Sequence, residues 1–434
     1  MRMIAAAFLL ASISAPALAQ ASQETLGGSI ASAFETNPTL LAQRKTRGTA
    51  DEALEQARAA MRPSLSLSGS YAALDDKPGQ AFTLPNGNSF PPTGLYERAT
   101  AGLEARQTLY AGGALLAQRR QAEAGVGAAK AKLSSFEQQL VLDVVTAFVD
   151  VRRAEQEVAI RETDAGALKQ QVQAASDRFK VGAVTRTDVA QAQARHAGSQ
   201  ADLAAAEARR AAARANFERL VGRPAVQLAD PPPPPAIPAS LEEAIRIGLQ
   251  ENPDLVALRS TEAGARESVG VARGSLRPNL GLVGNAGLTD TYVDNSYKDT
   301  SLSLTARLSI PIYQGGLVAS RTRSAQLSAD KAHYDALAQE RQVTAQVTSA
   351  WHAVTSARQG IDASQSRVAA AGTAFEGAQQ ELAVGNRITL DVLDQERELL
   401  QARPALVDSQ RAEYVAVMQL LAATGRLQPG MFGR

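Results

Sequence analysis

Two stretches of the chain, Gly113 to Val181 and Gly316 to Val384, carry an almost unbroken helical rhythm of apolar and polar positions without a proline. Each predicts a helix of about 69 residues, about 100 Å long at 1.5 Å per residue. Apolar residues recur in them at coiled-coil spacing, as in Leu168, Val172, Ala175, Phe179 and in Val343, Val347, Ala350, Val354. Beyond each lies a short turn and a returning helical pattern, over 188–221 and 391–424. In the second, Val392, Leu399, Leu406 and Leu393, Leu400, Val407, Tyr414, Leu421 step by seven. Ala190, Ala197, Ala204 and Ala211 keep the same step with a smaller residue, and Pro404 is expected to bend the last helix or begin a new segment.

The period changes to two after Arg62-Pro63 and after Arg277-Pro278. From Ser64 to Tyr71 one face is serine and the other leucine, glycine and tyrosine. From Ser301 to Ile310 the apolar side is Leu302, Leu304, Ala306, Leu308 and Ile310. Strands are expected over 64–74 with 95–109 and over 279–292 with 300–312, joined by loops rich in Pro, Gly, Asn and Asp. The apolar faces hold few large side chains and the opposite faces are small or polar, which fits a wall between lipid and a watery lumen. Four strands cannot close a barrel, so the barrel is expected to be shared between chains.

The two halves are copies. Val181-Gly182-Ala183-Val184-Thr185-Arg186-Thr187-Asp188 and Val384-Gly385-Asn386-Arg387-Ile388-Thr389-Leu390-Asp391 stand 203 positions apart, as do Tyr110-Ala111-Gly112-Gly113 and Tyr313-Gln314-Gly315-Gly316. Upstream of the hairpins the offset is 215 (Pro38 against Pro253, Pro63 against Pro278). The first hairpin is therefore the longer, and the excess is expected near Pro85 to Gly94. A first repeat, 20–222, holds helices over 24–61, a hairpin over 64–109, a long helix over 113–181 and a helix over 188–221. A stiff Pro-rich linker, 223–239, leads to a second repeat, 240–426, with helices over 240–276, a hairpin over 279–312, a long helix over 316–384 and a helix over 391–424. Residues 427–434 form a C-terminal tail. The two shorter helices of each repeat are expected to stack end to end beside the long one, with the sheet emerging at their junction.

Met1 to Ala19 reads as a secretory signal peptide: Arg2, an apolar run from Met3 to Ile13, and Ala17-Leu18-Ala19 before the cut. No later apolar run approaches the length of a membrane-spanning helix, which leaves secretion, a soluble periplasmic protein or an outer-membrane β-barrel, and any membrane attachment is expected through strands. Cysteine is absent, which removes disulfides, thiolate metal sites and a lipidated N-terminal cysteine. Charges of both signs alternate to a net +1, with no basic patch for nucleic acid. His196, His333 and His352 lie far apart without ligand spacing, and no phosphate loop or nucleophile motif is present, so an enzyme is not expected and no cofactor is implied. Trp351, matched by Phe148 in the first repeat, reads as a packing residue.

The duplication, the two hairpins, the Tyr-X-Gly-Gly junctions and the Val-Gly-turn-Asp tips resemble the TolC-like outer membrane efflux and secretion channels over almost all of residues 21–427. The resemblance implies an α+β membrane protein, a homotrimer in which twelve strands form one transmembrane β-barrel and the coiled coils form a helical barrel through the periplasm. It implies an exit duct gated at its periplasmic tip, working with a periplasmic adaptor and an inner-membrane pump or ABC exporter. Asp391 and Asp394, three apart and so on one helix face, are the residues it places at the constriction. It places gate tethers between Arg387 and the pair Thr187 and Asp188, and adaptor contacts at Val181, Gly182, Val384 and Gly385. Gln191 stands where a first-repeat counterpart of Asp394 would be, and Leu382 stands where the family has a further tethering tyrosine. A periplasmic coiled-coil scaffold without a pore is the rival reading, and it leaves the strands and the duplication unexplained.

Overall fold

The computed structural model describes residues 23–76, 82–83, 89–90, 94–292 and 297–433. The Met1 to Ala19 leader and most of the Pro85 to Gly94 loop lie outside them. In chain order the elements are α1 (Leu26–Thr36), α2 (Pro38–Ala59), β1 (Ser64–Asp76), a two-residue pair β2 (Phe82–Thr83) and β3 (Ser89–Phe90), β4 (Gly94–Ala111), α3 (Ala114–Lys180) and α4 (Arg186–Val221). The order then repeats without the small pair: α5 (Leu241–Glu251), α6 (Pro253–Gly274), β5 (Asn279–Tyr292), β6 (Tyr297–Ser309), α7 (Leu317–Ala383) and α8 (Thr389–Ala423), closed by a 3-10 turn over Pro429–Phe432.

Local chemistry sets the boundaries. Both long helices have 67 residues and start after a glycine with positive φ, Gly113 and Gly316. Asn37 and Asn252 cap α2 and α6, each accepting two backbone N–H groups ahead of a proline at the first helical position. The same two side chains donate outward, Asn37 to the Leu220 carbonyl at 3.3 Å and Asn252 to the Ala423 carbonyl at 3.0 Å. The C-terminus of each return helix is thereby stitched to the N-terminus of the short helix stacked on it. The sheet does not emerge at that junction. It lies at the far end of α2 and α6, past the starts of α3 and α7; α1, α5 and the linker occupy the junction, with Leu228 of the linker buried and Glu24 bridging to it.

Strand order is β1-β4-β5-β6, antiparallel throughout, so β4 and β5 join the two hairpins and β1 and β6 are free edges of the sheet. Leu67, Leu103, Ala286 and Leu302 form one row across all four strands, and Leu65, Ala105, Gly284 and Leu304 the next. Leu302 is 88% exposed and Leu67 79%. Among the described residues no protein core stands behind this face, a large exposed apolar patch of the kind that marks an interaction or membrane surface. Serines and threonines cover the other face, where the Ser70 and Thr100 hydroxyls lie 2.7 Å apart and Arg106 donates to Glu104 at 2.8 Å. An extra residue in β4, Leu109, bulges between Thr108 and Tyr110 at the sheet's base. The last strand runs 297–309 rather than 300–312. Pro311 has no N–H for a ladder, and Ser309 already faces Asn279, the first residue of β5.

The apolar core is concentrated where α1, α5 and the middles of α3 and α7 meet the ends of α4 and α8. Phe148 is fully buried there, its ring 6.3 Å from that of Phe217, and Trp351 packs on the same cluster. Below this belt the chain thins to two antiparallel hairpins, α3 with α4 and α7 with α8, which meet along α3 and α8. Helix α8 runs through Pro404 as one element. Its turns on both sides are held to α7, by Arg367 to Glu398 at 2.6 Å below and the Ser364 and Ser409 hydroxyls 2.8 Å apart above. The seam of α4 differs from the expected stripe: Ala192 and Ala206 are buried, while Ala190, Ala197, Ala204 and Ala211 are exposed along the chain's open side.

Candidate functional site at the helical tips

Each hairpin turns on a glycine. Gly182 (φ +77°) and Gly385 (φ +80°) occupy the left-handed region that other residues enter only at a cost of about 1–2 kcal/mol. The first turn closes with Gly182 N–H on the Phe179 carbonyl at 2.9 Å and Ala183 N–H on Arg178 at 2.8 Å. The second closes with Gly385 on Leu382 at 3.1 Å and Asn386 on Glu381 at 2.9 Å. Val181 and Val384 precede the glycines and are 78% and 70% exposed at the lower extreme of the molecule.

The two aspartates that follow have different surroundings. Asp188 is consumed locally: its Oδ2 accepts the Thr185 backbone N–H at 2.8 Å and the Thr185 hydroxyl at 2.9 Å, a capping box. These bonds hold its carboxyl below the usual aspartate range, the backbone N–H contributing most. In the second repeat Ile388 occupies the capping position and offers no hydroxyl. Asp391 therefore has no side-chain partner among the described residues, and its carboxylate sits in the first turn of α8, where the helix dipole favours a negative charge.

Asp394 is on the same face one turn further, and it is not solitary. Arg195 of α4 donates to its Oδ1 at 2.9 Å and to the Leu393 carbonyl at 2.6 Å. Two residues along, Glu396 is buried and accepts the Gln171 amide at 2.9 and 2.8 Å. Burial raises its carboxyl above the ordinary range, against the Gln171 bond and the Arg195 charge. Arg195 and Gln171 belong to the first hairpin, so these contacts tie it to the second. Neither was singled out by sequence, because both act through residues about two hundred positions away that only the folded chain brings near.

Among the described residues, those expected as tethers are not joined to one another within the chain. Arg387 is paired with Glu381 of its own hairpin. Thr187 is exposed, and Asp188 faces a small cavity of about 260 Å³ lined also by Leu382, Gln171, Val392 and Leu393. Leu382 lines that space and offers it no hydrogen-bond donor from its side chain.

Comparison with known proteins agrees with this geometry. The family model described as "Outer membrane efflux protein" matches residues 29–223 and 244–426, one segment in each repeat. The chain belongs to the outer membrane efflux protein family. It is similar to the outer membrane efflux protein BepC of Brucella suis, 31% identical over 94% of this chain and 87% of BepC. It is 26% identical to the outer membrane protein TolC of Escherichia coli, over 90% of this chain and 80% of that one. Among solved structures, VceC of Vibrio cholerae superposes with a TM-score of 0.78 at 20% identity, covering 92% of this chain and 96% of VceC. Members of the outer membrane efflux protein family are transport channels of the outer membrane with a large periplasmic helical portion, and this chain is such a channel, an exit duct for efflux or type I secretion. No described helix is long and apolar enough to cross a bilayer.

Proposed function

We propose that three copies of this chain form one conduit whose narrowest point is a collar of Asp391 and Asp394 at the tips, opened when a periplasmic adaptor engages the turns at Val181, Gly182, Val384 and Gly385. The observation that carries the reading is the unequal capping of the two repeats. Thr185 engages Oδ2 of Asp188 and leaves only Oδ1 for a tether, whereas Ile388 leaves the whole Asp391 carboxylate without a cap partner. Three chains give twelve strands, enough to close a barrel with an apolar outer band and a polar lumen, and the free edges β1 and β6 supply the pairing between neighbours. Rings of carboxylates at a constriction favour cations at close range.

The tethers are part of the same proposal. Arg387 exchanges its Glu381 partner for Thr187 and Asp188 of a neighbouring chain in the closed trimer, and the network biases a two-state gate although each exposed pair contributes only about 0–1 kcal/mol. The test is single-channel recording of the purified protein in planar bilayers. The parent is expected to show a small cation-selective current. The Asp391→Ala/Asp394→Ala double variant loses the selectivity, and Arg387→Ser raises the resting conductance. An unchanged permeability ratio in the double variant removes the collar, and an unchanged conductance in Arg387→Ser removes the tether.

A further inference from the structure

The spacing of 203 that relates the repeats carries Asp164 onto Arg367 and Arg195 onto Glu398. In the second repeat that pair is made: Arg367 of α7 donates to Glu398 of α8 through Nε at 2.9 Å and Nη2 at 2.6 Å. The first repeat holds the same pair with its charges exchanged, the acid on the long helix and the arginine on the return helix. There it is not made. Arg195 reaches instead across to the second hairpin, to Asp394 and the Leu393 carbonyl. Asp164 is left 3% exposed, and its Oδ2 has no hydrogen-bond partner. Buried acceptors are rarely left so. Asp164 and Arg195 line one cavity of about 510 Å³ between α3, α4 and α8, together with Arg161, Asp202, Glu396 and Arg397.

We infer that Arg195 is a positioning residue with two seats, a latch between the hairpins of one chain. Seated on Asp394 and the Leu393 carbonyl, it binds α8 to the first hairpin and masks one of the two tip carboxylates. Seated on Asp164, it completes the pair that the second repeat already has, gives up its own tie to α8 while the Gln171–Glu396 contact remains, and leaves Asp394 bare. The orphaned carboxylate supplies the free-energy gain of the second seat, and the bonds to Asp394 and the carbonyl supply that of the first, so both ligands of the guanidinium are differential between the two states. The inference rests on the assignment of Asp391 and Asp394 to the constriction.

Burial pushes the Asp164 carboxyl up to about 6; Arg161 and Arg403 oppose the shift, and Glu396 and Asp202 add to it. Acidification therefore withdraws the second seat and favours the first.

The experiment is the resting conductance and the potassium-to-chloride permeability ratio of the full-length protein in planar bilayers, for the parent, Arg195→Ala, Arg195→Lys, Asp164→Asn and Asp391→Ala/Asp394→Ala. Arg195→Ala is expected to raise the conductance and the cation preference several-fold, since α8 loses its tie to α4 and Asp394 is unmasked. Arg195→Lys recovers part of the parent value. Asp164→Asn moves the conductance the other way, below the parent, because only the closed seat remains. An Asp164→Asn variant that conducts like the parent, or more, overturns the two-seat latch. If Arg195→Ala leaves both readings unchanged while the Asp391→Ala/Asp394→Ala variant loses selectivity, the latch fails and the constriction stands. If that double variant also keeps its selectivity, the constriction fails and the latch with it.

Discussion

Thr185 and Ile388 occupy equivalent places in the two repeats, and that one difference separates an aspartate engaged by its own cap from one without a side-chain partner among the described residues. The Thr-x-x-Asp frame from Thr185 to Asp188 is a capping signature that can be read directly from the sequence. Arg195 is another matter, since its partners become visible only when α4 and α8 are brought together. Asp164 is buried, with its Oδ2 unpartnered among the described residues. Its folded-state carboxyl is raised to about 6 by burial, above the unfolded value of about 3.9. A raised acid contributes stability in full below the unfolded value, and that contribution is lost as the pH rises through the folded value. The protein is therefore expected to resist thermal unfolding better at pH 5 than at pH 7.5. Asp164→Asn should remove that difference by stabilising the protein at pH 7.5, by about 1–3 kcal/mol. Melting curves at the two pH values, parent against variant, make the check; an equal pH response in both assigns the effect elsewhere.

At the scale of elements, the long helices, the strands and the turn positions were legible because each has a period and a stop: proline before the strands, glycine pairs after them, Val-Gly at the tips. The misplaced boundaries have a common origin in partners that lie far off in sequence. Strand β6 ends where β5 begins, and α8 continues through Pro404 because α7 holds it on both sides. The exposed alanine stripe of α4 has the right step for a seam but the wrong face, since Ala192 and Ala206 were already turned toward α3. The tips show how geometry sharpens a test. Space is open around Gly182 and Gly385, yet their positive φ means that any side chain there strains the turn. Val181 and Val384 have ordinary backbone and almost bare side chains, so they separate contact from folding. Val181→Asp/Val384→Asp is expected to abolish cross-linking to the periplasmic adaptor while the circular dichroism spectrum stays that of the parent. Undiminished cross-linking would place the adaptor elsewhere on the channel.

At the scale of the whole molecule, the chain is half of a set of contacts. Among the described residues the leucine rows of the sheet have nothing behind them, the edges β1 and β6 carry unpaired backbone groups, and Leu327 and Tyr334 on α7 are 70% and 67% exposed. An open edge exposing a row of donors and acceptors cannot lie in hydrocarbon, where each unsatisfied group costs several kcal/mol. In the proposed trimer, closure between chains satisfies all of them at once, and with every chain oriented alike in the membrane β6 of one chain meets β1 of the next. Because the chain has no cysteine of its own, introduced pairs report this directly. Ser66→Cys combined in turn with Ser301→Cys, Ser303→Cys and Thr305→Cys places thiols on the serine-lined face of both edges. One register among the three is expected to give oxidised dimers and trimers on a denaturing gel, while two cysteines both on β1 give none beyond background. The bonded register then fixes the stagger of the barrel. If no combination cross-links, although the protein sediments with outer membranes as a trimer, the chains are held together by their helices, and the sheet edges must be covered in some other way.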